Sequence, residues 1–266
     1  MKKIITLLSV LMLIMSLGAC SGSDNGNSAE SKDLLARIKE RGTIIIATEG
    51  TWAPYTYVDT NNELTGYDVE VARAIAEKLG VQAEFATGDF DGFLIGLDNG
   101  TYDAVFNCID VTEERAAKYD FSDPYINSTV VLIVAEDNEE ITSFDDLAGK
   151  TTTNTITSSY AATAEECGAT VLGANTFEET INLVLQGRAD ATLNSLGSFN
   201  DYIAVHPDTP LKIVDSFVSY AAVPLKKGED TATLLEAINQ AMAELKADGT
   251  LSQLSIRFFD EDVTGE

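Results

Sequence analysis

The sequence predicts an α/β protein made of two lobes with a cleft between them. From Thr43 onward, short apolar runs rich in β-branched residues alternate with amphipathic segments, and the alternation begins again near Thr151. The length of 266 residues is sufficient for two lobes of ordinary size. Ligands of α/β sheets bind at the carboxyl ends of the strands, so a site is expected in the cleft.

The first half of the predicted fold begins with a strand and a helix. Residues 43–48 form a β-branched run, which is typical of a strand buried on both faces. Apolar residues at helical spacing predict an amphipathic helix over 68–79, with Gly80 placed as its C-terminal cap. The same criteria predict a helix over 93–99 and strands over 104–109 and 130–134.

The second half repeats this alternation. Thr176 and Glu179 have the spacing of a capping box, which predicts a helix that runs to Gln186. Periodicity predicts strands over 151–155 and 190–194, and helices over 160–167 and 231–247.

The composition excludes several classes of function. The 43 acidic residues against 17 lysines and arginines give a formal net charge of −26, and such a surface repels nucleic acid. Three scattered cysteines do not make a disulfide framework or a cysteine-rich zinc site, so Cys108 and Cys167 are expected to be free thiols. A single histidine, His206, disfavours histidine-based metal or triad chemistry. These counts disfavour a metal site and most familiar hydrolase mechanisms, and we expect no cofactor.

Residues 1–19 are predicted to be a lipoprotein signal peptide. Lys2 and Lys3 precede an apolar run from Ile4 to Leu17, which is shorter than the roughly 20 residues of a membrane-spanning helix. The run leads through Gly and Ala to Cys20, which resembles a lipobox and makes Cys20 the predicted lipidation site. An ordinary signal peptide with an incidental cysteine is the alternative.

Residues 20–41 are predicted to be the lipidated cysteine and a flexible tether, because the segment from Ser21 to Ser31 is rich in Ser, Gly and Asn. No later stretch reaches the length of a membrane span. The expected location is therefore extracytoplasmic, with a lipid anchor in the cell membrane, at the cell surface or in the periplasm.

Six short motifs carry a resemblance to a known family. In order along the chain they are GYDVEVA at 66–72, TEER at 112–115, YDFSDPY at 119–125, DLAGK at 146–150, GRADA at 187–191 and DGTL at 248–251. Together they resemble the polar amino-acid-binding proteins of ABC importers, the bacterial extracellular solute-binding proteins of family 3. The resemblance covers about 42–263, and Asn107, residues 157–160 and residues 259–263 are most similar to the cystine-binding branch.

This resemblance implies a two-lobed periplasmic-binding-protein fold of type II. Two α/β lobes are then joined by two hinge strands, with crossings near 128–131 and 219–223. Lobe 1 is expected to comprise 43–129 plus 222–260, and lobe 2 to comprise 130–221. The ligand is trapped when the lobes close.

Arg115 is implied by the resemblance to anchor the carboxylate of the ligand. A guanidinium suits this role because it forms two parallel, charge-assisted hydrogen bonds with a carboxylate. From spacing alone, the alternative is a surface arginine paired with Glu113 or Glu114.

The opposite side of the ligand carboxylate is expected to meet the start of a lobe 2 helix. Ser158, Ser159 and Tyr160 lie there, just after Thr155, and their backbone N–H groups suit an anion. Simple helix capping by Ser158 or Ser159 is compatible with the same geometry.

Other cleft residues follow from the same resemblance. Trp52 and Phe90 are expected to form aromatic walls, although a lone aromatic residue is more often part of a core. Glu49, at the end of the first strand, is expected to bind the polar tail of the ligand. Asn107 and Cys108 are expected to face the cleft, with Cys108 as a small buried thiol.

One position departs from the family. Ser195 stands where the family has an aspartate that pairs with the ligand ammonium, and Asp110 stands where Gly, Ser or Thr is more usual. Three interpretations stay open: Asp110 takes over the ammonium, Asp110 pairs with Arg115, or the ligand has no free α-ammonium. An unpaired buried ammonium is costly, so an amino-acid ligand requires an acid somewhere.

The sequence therefore predicts a solute-binding lipoprotein. It is expected to capture a polar amino acid, with cystine as the first candidate, and to pass this ligand to an ABC permease. The protein is expected to be a monomer and to have no enzyme activity. The alternatives are a secreted enzyme resembling cyclohexadienyl dehydratase, with Glu49 or Asp110 as general acid, and a ligand-sensing module.

Overall fold

The computed structural model describes residues 33–265. The predicted signal peptide, the lipidation site Cys20 and the N-terminal part of the predicted tether lie outside the described residues. Among the helices of 33–265, none combines the length and the apolar character that crossing a bilayer requires.

The helices of the described range, in chain order, are α1 (Leu34–Arg41), α2 (Tyr67–Leu79), α3 (Phe93–Asp98), α4 (Glu113–Lys118), α5 (Ser159–Glu166), α6 (Phe177–Leu185), α7 (Leu196–Val205), α8 (Ala232–Ala247) and α9 (Thr250–Phe259). Short 3-10 turns occupy Phe90–Gly92 and Phe144–Leu147.

The strands of the same range are β1 (Thr43–Thr48), β2 (Thr51–Trp52), β3 (Thr56–Val58), β4 (Leu64–Thr65), β5 (Gln82–Thr87), β6 (Ala104–Val105), β7 (Tyr119–Phe121), β8 (Ile126–Ala135), β9 (Thr151–Asn154), β10 (Thr170–Gly173), β11 (Ala191–Ser195), β12 (Leu211–Ala221) and β13 (Pro224–Lys226).

Two sheets organise the described chain into two α/β lobes. The first lobe is built on the parallel sheet β5-β1-β6, and the second on the mixed sheet β10-β9-β11-β8-β12. In the second sheet, β9 is parallel to both β10 and β11. Small antiparallel sheets, β2-β3-β4 and β13-β7, complete the first lobe.

Strands β8 and β12 join the lobes as an antiparallel pair. Their register runs from Leu211 opposite Ala135 to Ala221 opposite Ile126. Ile126 and Ala221 pack in the core of the first lobe, whereas Val130 packs in the core of the second. The pair therefore passes from one core to the other, as hinge strands do, and the lobe boundaries at 129/130 and 221/222 stay predictions.

Several local predictions are confirmed by the described elements. The first strand spans the predicted residues, and α2 ends at Gly80, whose φ of 75° is left-handed. The capping box of Thr176 and Glu179 is formed at the start of α6. Gly66 precedes α2 with φ 123°, and a Cβ there would lie 2.2 Å from the Tyr55 carbonyl oxygen, so the motif requires glycine.

The tether prediction is wrong for its last residues. Residues 34–41 form α1, whose N-terminus is capped by Asp33: the Asp33 carboxylate accepts from the Ala36 N–H at 2.8 Å. Ile38 of this helix is fully buried in the core of the first lobe. Gly42 closes the helix in the left-handed conformation. The burial of Ile38 and the two caps, Asp33 and Gly42, therefore stabilise the helix.

The strand predicted over 104–109 is also shorter than expected. Only Ala104–Val105 pairs with β1 as a strand, and Cys108 has φ 45°. A non-glycine residue with positive φ cannot continue an extended strand. The chain therefore bends at the carboxyl edge of the sheet, and this bend brings Asn107 and Cys108 to the cleft.

Candidate functional site

A cavity lies between the lobes, at the carboxyl ends of the parallel strands. Its empty volume is about 590 Å³, including the part open to solvent. The residues that line it are Glu49, Thr51, Trp52, Phe90, Asn107, Cys108, Arg115, Asn154, Thr155, Ser158, Ser159, Tyr160, Asn175, Thr176, Phe177, Thr180 and Asn194.

The structure brings most of the predicted site residues to this cavity. Glu49 and Asn107 follow the parallel strands β1 and β6, whose carboxyl ends lie side by side. Thr155 follows β9 in the same way in the second lobe. Of the predicted ligand-binding residues, Asp110 and Ser195 are not part of the lining.

Several lining residues of the second lobe were not predicted from the sequence. Asn154 and Asn194 lie at the carboxyl ends of β9 and β11, and Thr176 and Phe177 lie where α6 begins. The remaining missed residues are Thr51, Asn175 and Thr180. These residues could have been found from the sequence, because the carboxyl ends of strands and the helix starts beside them are where α/β sheets bind ligands. The strands and the start of α6 were themselves predicted correctly.

Arg115 is buried at the start of a short helix. Thr112 caps α4 by accepting from the Arg115 N–H at 3.2 Å, and only 8% of Arg115 is exposed. Nη1 donates to the Asp110 carbonyl and Nη2 to the Thr157 carbonyl, both at 3.1 Å. The guanidinium carbon also lies 5.8 Å from the centroid of the Phe90 ring.

The described residues place no carboxylate within ion-pair distance of Arg115. The alternative pairing with Glu114 is not formed, because Glu114 accepts from Lys118 at 2.7 Å instead. A guanidinium has five N–H donors, and these two carbonyl bonds leave others for a ligand. A buried arginine of this kind is suited to an anionic group entering the cavity.

The start of α5 faces the same cavity from the second lobe. Ser158 caps the helix by accepting from the Ala161 N–H at 3.1 Å, and its hydroxyl donates to the Thr155 carbonyl at 2.6 Å. Ser159 and Tyr160 are the first residues of the helix, where backbone N–H groups have no partner within the helix. These groups and the Arg115 guanidinium thus offer donors to one anion from two lobes.

Glu49 is the acidic residue of the lining. Its Oε2 accepts from Asn107 Nδ2 at 2.7 Å, and its backbone N–H donates to Asn107 Oδ1 at 2.8 Å. Burial, with smaller contributions from the charges of Asp89 and Asp91, raises its pKa to about 7 although the Asn107 bond lowers it. A cation beside this carboxylate would favour its ionised form.

Trp52 forms part of the cavity wall. Its ring stacks on Tyr55 with centroids 4.3 Å apart, and its Nε1 donates to Asn194 Oδ1 of the second lobe at 3.1 Å. Phe90 lines the cavity near Arg115 and packs against Phe93.

Cys108 and Cys167 are free, as predicted. Cys108 touches the cavity but is only 6% exposed, and burial raises the pKa of its thiol well above the usual value. The thiol is therefore protonated near neutral pH and is a poor nucleophile.

Asp110 and Ser195 serve other contacts. Asp110 Oδ1 accepts from Ser219 Oγ at 2.6 Å, Oδ2 accepts from Ser159 Oγ, and its contact with Arg115 is made by the backbone carbonyl. Ser195 is fully buried and caps α7 by accepting from the Ser198 N–H at 3.0 Å. Of the two acids Glu49 and Asp110, Glu49 lines the cavity and Asp110 does not.

Hydrogen bonds across the cleft show that the lobes are closed. They join Trp52 Nε1 to Asn194 Oδ1 at 3.1 Å, Arg115 Nη2 to the Thr157 carbonyl at 3.1 Å, and Ser198 Oγ to the Ala53 carbonyl at 2.8 Å.

We expect a bound ligand to quench or shift the fluorescence of Trp52. This residue is the single tryptophan of the sequence, it lines the cavity, and its Nε1 bond depends on closure. A titration that reads the emission spectrum checks this, and Trp52→Phe supplies the blank. An emission spectrum that does not change at saturating ligand would count against this place for Trp52.

Comparisons with known proteins agree with this geometry. The family model described as bacterial extracellular solute-binding proteins, family 3, matches residues 44–261. The L-cystine-binding protein TcyA of Bacillus subtilis (strain 168) is 35% identical over 99% of this chain and 100% of its own length.

Two solved structures differ in how well they superpose. An ancestral arginine-binding protein bound to arginine is 35% identical, covers 82% of this chain and 99% of its own, and has a TM-score of 0.76. The L-cystine solute receptor of Neisseria gonorrhoeae, in its unliganded open conformation, is 38% identical over 89% of this chain and 100% of its own, with a TM-score of 0.59. The lower score at higher identity fits a closed arrangement of the lobes in the present structure.

Proposed function

We propose that this chain, which belongs to the bacterial extracellular solute-binding proteins of family 3, captures a polar amino acid and delivers it to an ABC permease. The observation that carries this proposal is the cavity itself: a buried guanidinium with no carboxylate partner among the described residues and a partly buried carboxylate line the same space. These are complementary to the carboxylate and the ammonium of an amino acid.

Arg115 and the start of α5 bind the ligand carboxylate in this proposal. The remaining N–H groups of Arg115 line the cavity from the first lobe, and the backbone N–H groups of Ser159 and Tyr160 lie at the start of α5 in the second lobe. Hydrogen bonds to a charged group contribute about 1.5–3 kcal/mol each, so this anchor supplies much of the roughly 8 kcal/mol of a micromolar complex.

Glu49 binds an ammonium of the ligand. Ser195 is neutral and buried away from the cavity, and the Asp110 carboxylate is turned toward two serine hydroxyls. Glu49 is then the carboxylate within reach among the described lining residues. This replaces the hypothesis that Asp110 takes over the ammonium.

L-cystine is the ligand we propose to test first, because a relative aligned over its full length is named for binding it. The aromatic walls formed by Trp52 and Phe90 suit an apolar disulfide between two polar ends. Cys108 lies beside this space, but its raised pKa keeps the thiol protonated, so exchange with a disulfide ligand is disfavoured.

The location and partners are part of the same proposal. Cys20 is lipidated, a tether ends before α1, and the chain works as an extracytoplasmic, membrane-anchored monomer. The permease and the anchor are supported by the lipobox-like sequence and by the family to which the chain belongs.

Binding without chemistry is the proposed activity. We expect calorimetric titration to show one-to-one binding of L-cystine or of one of three other amino acids, L-glutamine, L-histidine and L-arginine. We expect no turnover of prephenate or arogenate, since Glu49 has no complementary base in the described cavity. Turnover, or failure of every amino acid to bind, would overturn the proposal.

A further inference from the structure

The buried acid Asp110 is not used by the proposed binding site, and its surroundings are unusual. It is only 6% exposed, and both carboxylate oxygens accept hydroxyl groups: Oδ1 from Ser219 at 2.6 Å and Oδ2 from Ser159. Ser219 belongs to the hinge strand β12, whereas Ser159 is the first residue of α5 in the second lobe.

The backbone of Asp110 is fixed on the first-lobe side of the cleft. It pairs with Ala221 in an isolated antiparallel bridge, and the neighbouring Val111 N–H donates to the Tyr220 carbonyl at 3.1 Å. Arg115 adds a bond to the Asp110 carbonyl. Of the contacts to the Asp110 side chain, the one with Ser159 crosses the cleft and has to break when the lobes separate.

Closure therefore removes a carboxylate from water and adds one hydroxyl donor, Ser159, to the Ser219 hydroxyl that the hinge strand already supplies. Burying an ionised carboxylate is costly unless its partners compensate for the lost water. Here burial is the largest effect on the pKa of Asp110 and raises it, although both serines and the nearby Arg115 lower it. In the closed form the carboxylate is 6% exposed and its side-chain partners are two neutral hydroxyl groups, with no ion pair among the described residues. Burial of the negative charge therefore opposes closure, and the Ser159 hydroxyl supports it.

We propose that Asp110 and Ser159 set the balance between open and closed forms, with the buried Asp110 carboxylate opposing closure and the Ser159 hydroxyl partly offsetting it. This charge keeps the ligand-free cleft open, and part of the ligand's binding free energy is used to bury the carboxylate. The inference uses the proposed function only in requiring a cleft that opens and closes.

The test of this balance does not need the ligand to be known. Small-angle X-ray scattering of ligand-free protein should show that Asp110→Asn is more compact than wild type, with a profile closer to that calculated for the closed structure. Asp110→Thr should shift in the same direction, and it provides a second variant should the first fold poorly. Asp123→Asn makes the same chemical change at an exposed position and should leave the profile unchanged.

Binding of L-cystine provides the second readout. Asp110→Asn should tighten the affinity roughly three- to tenfold, because less free energy is needed for closure. Ser159→Ala should weaken the affinity of the wild-type protein, because it leaves the buried Asp110 charge with one hydroxyl partner fewer. The same change should weaken the affinity less in the Asp110→Asn variant, which has no charge at this position.

Each outcome separates the explanations. An unchanged scattering profile for Asp110→Asn and Asp110→Thr would overturn the proposal. A tenfold loss of affinity in Asp110→Asn with an unchanged scattering profile would also overturn it, and would instead show that Asp110 touches the ligand ammonium directly. If L-cystine does not bind to wild type, that ligand assignment fails, and the scattering arm still decides the role of Asp110.

Discussion

Arg115→Ala should reduce amino-acid affinity by at least about 100-fold while leaving the fold intact. The change removes two or more charge-assisted hydrogen bonds to the ligand carboxylate, each of about 1.5–3 kcal/mol. It also removes the Nη2 bond to the Thr157 carbonyl, which holds the lobes together. Calorimetry measures the affinity, and circular dichroism with a thermal melt checks the fold.

Arg188→Ala is the matched control for this experiment. Arg188 is exposed and does not line the cavity, so its loss changes the net charge by the same amount without touching the site. We expect this variant to bind as wild type does. An affinity of Arg115→Ala within threefold of wild type would refute the assignment of the carboxylate anchor.

Glu49→Gln should weaken amino-acid binding roughly 10- to 100-fold at pH 8 and remove its pH dependence between pH 5.5 and 8. Gln keeps an acceptor for Asn107 Nδ2 but has no charge for the ligand ammonium. In wild type, the Glu49 pKa of about 7 means that the carboxylate is ionised at pH 8 and takes up a proton as the pH falls. A bound ammonium prefers the ionised form, so affinity is fully present above pH 7 and falls by up to about tenfold per unit below it.

Calorimetry over this pH range gives both quantities. Glu84→Gln carries the same chemical change at an exposed position of β5 and should bind with wild-type affinity and wild-type pH dependence. A Glu49→Gln variant that retained the wild-type pH profile would show that another group carries the titration. An affinity at pH 8 equal to that of wild type would show that Glu49 does not meet a charge on the ligand.

Much of the fold was predictable because its signals are local. A β-branched run marked β1, apolar spacing and Gly80 marked α2, and the Thr176 capping box marked α6. Each of these depends on residues a few positions apart, so the sequence pattern and the structure report the same interactions.

The errors lie where tertiary contacts decide the conformation. α1 was predicted as tether because a polar stretch precedes it, yet burial of Ile38 against the first lobe holds the helix. The strand at 104–109 ends early because Cys108 adopts a positive φ. The caps Asp33 and Gly42 were local signals for α1 that the prediction did not use, whereas the neighbouring residues give no signal for the positive φ of Cys108.

The candidate site shows the same division. Glu49, Asn107 and Thr155 lie at strand ends that periodicity located, and the cavity contains them. The direction of the Asp110 side chain was not predictable, because it depends on Ser159 and Ser219, which are distant in the sequence. Asn154 and Asn194 were missed since a polar residue at the end of a buried strand resembles an ordinary turn residue.

Native mass spectrometry of the protein purified without refolding shows whether the cleft holds an amino acid. We expect one small molecule per chain, identified after denaturation as a single α-amino acid, with L-cystine the first candidate, and no such molecule in Arg115→Ala. A retained compound that lacks an α-amino acid group, or equal retention by Arg115→Ala, would contradict the proposed function.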